Sequence, residues 1–152
     1  MEFIFTPEQE AQIISAIQTA ESHTTGEIRL HVEPQCKDEN VAAMPEADPF
    51  ERALSLFAEL GMHRTKAQNG VLFYLAYDSH KFAIVADAGI NSKVPTDFWE
   101  AIKEKMEVHF KKGAFVAGLS EGILAAGQQL KTYFPTDNKP NDNELSDDIS
   151  KA

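Results

Sequence analysis

The sequence predicts an α/β fold, a three-layer α/β/α sandwich with a mixed sheet flanked by about four helices. Two observations carry this reading. First, a half-apolar strand pattern at "GEIRLHVE" and a wholly apolar one at "GVLFYLAY" stand on either side of an amphipathic helix. That is a βαβ unit, so the two strands run parallel with a right-handed crossover. Second, the short link "DSHK" turns the second strand back into "KFAIVAD" as an antiparallel hairpin. With 152 residues, 43% of them apolar, and ten Phe, three Tyr and one Trp, the chain can fill one ordinary domain core.

The elements follow in order. "TPEQEAQIISAIQTAESH" reads as a helix: Thr6 with Gln9 makes a capping box, and Pro7 suits the first helical turn. Ile13, Ile14 and Ile17 form its apolar stripe. In the first strand Ile28, Leu30 and Val32 alternate with Glu27, Arg29, His31 and Glu33, so only one face is expected to be well covered. Residues 34–47 have two prolines and no period, and read as a long loop. In "DPFERALSLFAELGM" Asp48 caps a helix, Pro49 opens it, Glu51 completes the box and Gly61 stops it. Phe50, Leu54 and Phe57 make its expected stripe, with Ala53, Leu56 and Leu60 beside it. After the hairpin, a helix is expected from about Pro95 to Lys112, with Trp99, Ile102 and Met106 inward. A last helix, about Ala114 to Phe134, carries a close-packing strip of Gly118, Gly122 and Ala126. The organisation expected is one domain over residues 1–135 and an acidic, mobile tail over 136–152, with Leu145 and Ile149 able to tack it to the body.

Charge excludes several functions. A net charge of −10, from 24 acids and 14 bases, argues against a nucleic-acid binder and against adsorption to an anionic membrane. Cys36 is the only cysteine, so no internal disulfide can form and an oxidising compartment is not indicated. "MEFIFTPEQE" does not read as a signal peptide, and no apolar run approaches the roughly 20 residues needed to span a bilayer. A cytoplasmic protein is expected.

The topology gives the acids a place. The starts of the two parallel strands lie at the same edge of the sheet as the end of the third. That edge collects Glu27, Asn69 and Asp87, and Asp97 returns to it on the next helix. Three carboxylates, an amide and loop carbonyls suit a hard divalent cation. The plainer reading stays open: Asp87 caps a turn, and Asp97 sits favourably at a helix N-terminus. Rules for α/β sheets favour the opposite edge, with Glu33, Cys36, Tyr77, Asp78 and His80, as the second candidate.

"TTGEIRLHVE", "RALSLFAELGM", "QNGVLFYLAYDSHKFAIVADAGI", "TDFWEAI" and "FVAGLSEGILAAGQQL" followed by "FP" together resemble the TPM domain family, named for a thylakoid-lumen phosphatase-like branch. The short "NEL" beyond the domain resembles cytoplasmic bacterial members. The resemblance implies an α/β/α sandwich and a divalent-cation site, calcium being the usual candidate (magnesium the other). It carries over onto Glu27, Asn69, Asp87 and Asp97 as metal ligands. This chain departs from the family pattern with "QNG" for "NNG" and "VADAG" for "VGYG", and lacks the membrane span of many members.

The function expected is therefore a cation-binding interaction or structural module, whose protein partner and oligomeric state the sequence leaves open. The alternative, implied by the family's plant branch, is a weak metal-dependent acid phosphatase at the same edge. No Gly-rich phosphate loop, nucleophile elbow or Cys-based phosphatase loop is present, and His23, His31, His63, His80 and His109 fit no zinc spacing. No catalytic residue is assigned.

Overall fold

The computed structural model describes residues 4–22, 24–36, 48–64, 68–95, 97–135 and 149–151. Most of the loop expected over 34–47, part of the one over 61–69, and the tail up to residue 148 lie outside them. The elements run α1 (Pro7–Glu21), β1 (Glu27–Glu33), α2 (Pro49–Glu59), a short 3₁₀ turn, β2 (Gly70–Ala76), β3 (Lys81–Ala86), α3 (Ala88–Asn91), α4 (Phe98–Phe110), α5 (Phe115–Tyr133) and β4 (Ser150–Lys151). The sheet order is β3-β2-β1-β4. β1 pairs with β2 in parallel from Glu27 opposite Gly70 to Glu33 opposite Ala76. β2 and β3 form the expected antiparallel hairpin.

Side-chain alternation sorts the strands onto two cores. Ile28, Leu30, Val32, Val71, Phe73 and Leu75 face α1, α4 and α5, while Leu72, Tyr74, Ala76, Ala83 and Val85 face α2. The layers are those expected, with five helices among the described residues in place of about four. The polar face of β1 differs from expectation: Glu27, His31 and Glu33 are all buried, and Arg52 of α2 reaches Glu33 there.

Local signals explain most element ends. Thr6 and Gln9 make both bonds of the capping box. The Asp48 carboxylate accepts from the backbone N–H groups of Phe50 and Glu51, and Gly61 ends α2 at φ 71°. The face of α2 is rotated from the expected stripe. Phe50 and Leu54 are exposed, whereas Arg52, Ala53, Leu56 and Phe57 are buried. α4 is shorter than the expected span from about Pro95 to Lys112, and Asp87 starts a separate short turn, α3, before it. Phe98, Ile102 and Met106 are buried; Trp99 is only partly so, and its Nε1 donates to Asn91 Oδ1 at 3.1 Å.

The small residues of α5 serve two neighbours. A Cβ on Gly118 would collide with Phe110, and one on Gly122 with the Met106 thioether, so both lie against α4. Gly127 meets α1 instead, where a Cβ would fall 2.5 Å from Ala20 Cβ and 2.8 Å from its carbonyl oxygen. β4, a strand not foreseen from the sequence, pairs parallel to β1 opposite His31 and Val32. Lys151 reaches Glu10 of α1 at 2.6 Å, and Ile149 packs on the core.

A buried carboxylate joins these layers. Glu33 Oε1 accepts from Arg52 Nη2 at 2.9 Å and faces His31 Nε2 at 3.0 Å. Its Oε2 accepts from Arg52 Nε at 3.0 Å and Tyr74 Oη at 2.5 Å. His31 Nδ1 lies 2.9 Å from Ser150 Oγ of β4. With Glu33 ionised, Nε2 carries the proton donated to it, and Nδ1 can accept from the Ser150 hydroxyl. Burial alone would push the Glu33 carboxyl up. The bonds from His31, Arg52 and Tyr74, with the Arg52 charge, outweigh it and bring the pKa from 4.5 down to about 2. The bond to Glu33 raises the Arg52 pKa against the effect of burial, and burial with the same carboxylate raises that of Tyr74.

Gly127→Ala is expected to cost about 1–3 kcal/mol, since Ala20 contributes backbone atoms that cannot swing aside. Gly122→Ala is expected to be near neutral, because the flexible Met106 can move and alanine gains roughly 1 kcal/mol of helix propensity. Thermal melts of the two variants check the contrast.

The Glu33 network sets an acid limit. A carboxyl pKa lowered on folding stabilises the protein above the unfolded value of 4.5, and that contribution is lost as pH falls toward 2. Glu33→Gln is expected to cost about 3–5 kcal/mol at neutral pH, by leaving the Arg52 charge buried and unpaired. Its deficit relative to wild type should narrow across that acid window in urea melts at stepped pH. Tyr74→Phe is expected to cost roughly 1.5–3 kcal/mol, the worth of one bond to a charged acceptor.

Candidate functional site

The strand-start edge is built around Gly70. Glu27 pairs with it on one side, and on the other the Asp87 backbone N–H donates to the Gly70 carbonyl at 3.0 Å. Residues opposite one another across a sheet share a face, so Glu27 and Asp87 leave the sheet on the α2 side. Asn69 precedes Gly70, is buried, and accepts on its carbonyl from the Glu27 backbone N–H at 3.2 Å. Its side-chain Nδ2 donates to Thr25 Oγ1 at 3.2 Å, which leaves Oδ1 as the acceptor end of the amide. The first strand residue, the residue before the second strand and the residue after the third thus meet at one edge, as the topology requires.

The two oxygens of Asp87 differ. Oδ1 accepts from the Ala88 backbone N–H at 2.7 Å, capping α3. Oδ2 is buried and has no hydrogen-bond partner. Leaving a carboxylate oxygen buried without a hydrogen-bond partner costs at least about 1–3 kcal/mol. One step along the same face, Arg29 Nε is also buried without a hydrogen-bond partner.

Asp97 is exposed at the start of α4, makes no side-chain cap bond, and lines a cleft of about 330 Å³ between α4 and α5 with Lys105 and Gln128. Among the described residues, no three His, Cys, Asp or Glu side chains converge on one point. The edge therefore offers two carboxylates and one amide from Glu27, Asp87 and Asn69, not a three-acid cluster.

The opposite edge is occupied by the Glu33 network. Four donors fill the four acceptor positions of that carboxylate, so it has no capacity left for a ligand. Cys36 is wholly buried, with its backbone N–H donating to Ser79 Oγ at 3.0 Å. Tyr77, Asp78 and His80 belong to the hairpin turn, where Tyr77 and Asp78 donate their backbone N–H groups to Glu33 and Pro34 carbonyls. Arg52, Tyr74 and Ser150, which complete the network, were not singled out from the sequence. The available signal was the alternation placing His31 and Glu33 on one strand face, with a lone arginine in the facing helix.

No helix among the described residues is long and apolar enough to cross a membrane. The comparison with curated proteins gives no match. Solved structures do match. The NMR structure of BA42 protein from the psychrophilic bacterium Bizionia argentinensis is 41% identical, with a TM-score of 0.87, over 100% of this chain and 98% of that one. The N-terminal domain of a protein from P. gingivalis is 24% identical, with a TM-score of 0.69, over 86% of this chain and 79% of that one. The N-terminal domain of cg2496 protein from Corynebacterium glutamicum is 9% identical, with a TM-score of 0.61, over 98% of this chain and 80% of that one. The last two show the shared fold alone. The TPM domain model matches residues 2–129, most of the sandwich just described, and the chain belongs to the TPM domain family.

Proposed function

We propose that this TPM domain is a binding module whose strand-start edge takes a divalent cation through Glu27, Asn69 and Asp87. The observation that carries the reading is Asp87 Oδ2, a buried carboxylate oxygen without a hydrogen-bond partner. A bound cation would supply the partner that this oxygen lacks. The Asn69 side-chain oxygen and the Glu27 carboxylate are further hard donors from the neighbouring strand starts. Calcium fits better than magnesium, because loop-borne oxygens form an adaptable site and magnesium dehydrates reluctantly. The cation's work would be to neutralise the edge and tie the three strand ends together. A partner would then read the surface so formed.

Binding to the native state alone stabilises it by about 2.7 kcal/mol at a hundredfold excess over the dissociation constant. For a domain of this size the expected rise in Tm is roughly 5–11 °C with calcium, and smaller with magnesium. Asp87→Asn is expected to remove most of the rise and Glu27→Gln to reduce it. Asp97→Asn, on the α4–α5 cleft, and Asp78→Asn, on the hairpin turn, should leave most of it. Melts of chelated and calcium-loaded protein check each variant. No rise in the wild type would return Asp87 to capping alone, and a rise lost with Asp97→Asn would extend the site to α4.

A further inference from the structure

At the strand-end side of the sheet, Ser150, His31 and Glu33 are bonded in series. The Ser150 hydroxyl oxygen lies 2.9 Å from His31 Nδ1, and His31 Nε2 lies 3.0 Å from Glu33 Oε1. An alcohol, an imidazole and a carboxylate in that order form the relay by which hydrolases turn a serine into a nucleophile. Such a relay is defined by geometry and roles, not by chain order. Which ring nitrogen faces the serine is set by the bond that the other one makes.

That bond is fixed here. Arg52 Nε, Arg52 Nη2 and the Tyr74 hydroxyl also donate to Glu33 and keep it an anion. A carboxylate anion only accepts, so His31 Nε2 donates to it. The lone pair is left on Nδ1, facing the Ser150 hydroxyl, as a general base requires. The imidazole plane is held as well. Tyr74 stacks on His31 with ring centroids 6.0 Å apart and planes 10° from parallel. Burial is graded along the relay: His31 and Glu33 are buried, whereas Ser150 is only partly so. β4 is the outermost strand among the described residues, so no strand lies beyond Ser150 in the sheet. Base and carboxylate are thus sheltered from water, and the hydroxyl belongs to the residue at the border of the network.

We infer that Ser150 is a nucleophile, with His31 as its general base and Glu33 as a positioning residue, and that it takes the acyl group of an activated carboxylic ester. Ser150 Oγ would attack the carbonyl carbon while its proton passes to His31 Nδ1. The bond from that carbon to the alkoxy oxygen then breaks, and the proton leaves with this oxygen as the alcohol. The acyl group stays on Oγ. Water next gives a proton to the same nitrogen and bonds to the carbonyl carbon; the acid departs and the proton returns to Oγ. A positioned base supplies a gain of about 10²–10⁴-fold, which suits an ester whose leaving group departs readily.

The test uses the full chain. A fluorophosphonate probe forms an Oγ–P bond and releases fluoride, so its adduct marks the reactive serine. Mass spectrometry of the digested protein is expected to place the adduct on Ser150 in the folded state and to find none there in urea. The folded protein should also hydrolyse p-nitrophenyl acetate, and Ser150→Ala should remove both the adduct and the excess hydrolysis. His31→Asn should slow modification by roughly a hundredfold or more. A contact that only held β4 in place would leave Ser150 no more reactive than other serines. The inference is overturned if folded wild type is not modified at Ser150, or if the unfolded chain is modified as fast. It is also overturned if Ser150→Ala hydrolyses the ester like wild type, or if His31→Asn, shown folded by circular dichroism, reacts at the wild-type rate. Should His31→Asn not fold, the folded and unfolded wild type together with Ser150→Ala decide.

Discussion

The Glu33 carboxylate is the point on which the two layers of this fold depend. It sits at the end of β1 and binds side chains from β1, β2 and α2 at once, through His31, Tyr74 and Arg52. A buried charge is tolerated only when every acceptor position is filled and a counter-charge is close. Both conditions hold here, with Arg52 as a two-pronged partner. The consequence is geometric. α2 cannot slide or rotate over the sheet without unpairing a buried ion. That explains why its inward face is the one containing Arg52, although an apolar stripe through Phe50 and Leu54 was available. Through His31 and Ser150 the same network reaches β4, so the outermost strand is keyed to the centre of the molecule.

That network also divides labour between the two edges of the sheet. At the strand ends, polar groups are paired with one another and the carboxylate is saturated. At the strand starts Asp87 keeps one buried oxygen without a hydrogen-bond partner. The carboxylates of the chain thus occupy two kinds of place, one buried and saturated at the strand ends and others gathered at the strand-start edge. The small-residue faces of α5 make this arrangement compact. They let α1 and α4 approach closely enough for three helices to cover one side of a four-stranded sheet.

Much of the fold was legible in the sequence because its signals are local. The βαβ unit, the hairpin and the caps at Thr6 and Asp48 depend on residues a few positions apart. The misreadings have one physical cause. In α2, two stripes of comparable apolarity competed, and the choice was made by a charge on another element. The same holds for Glu33 on the polar face of β1, which reads as solvent-facing until Arg52 of α2 reaches it.

By itself, the sequence determined most of the element types, the β1–β2 and β2–β3 pairings, and the strand edge to which Glu27, Asn69 and Asp87 belong. Those follow from periodicity, turn chemistry and local motifs. Only the tertiary structure decided that Glu33, Arg52, Tyr74 and His31 form one buried network and that Ser150 and Lys151 return to extend the sheet. Those groupings join residues between two and more than a hundred positions apart. Desolvation and close packing select among such pairings only once the layers have met.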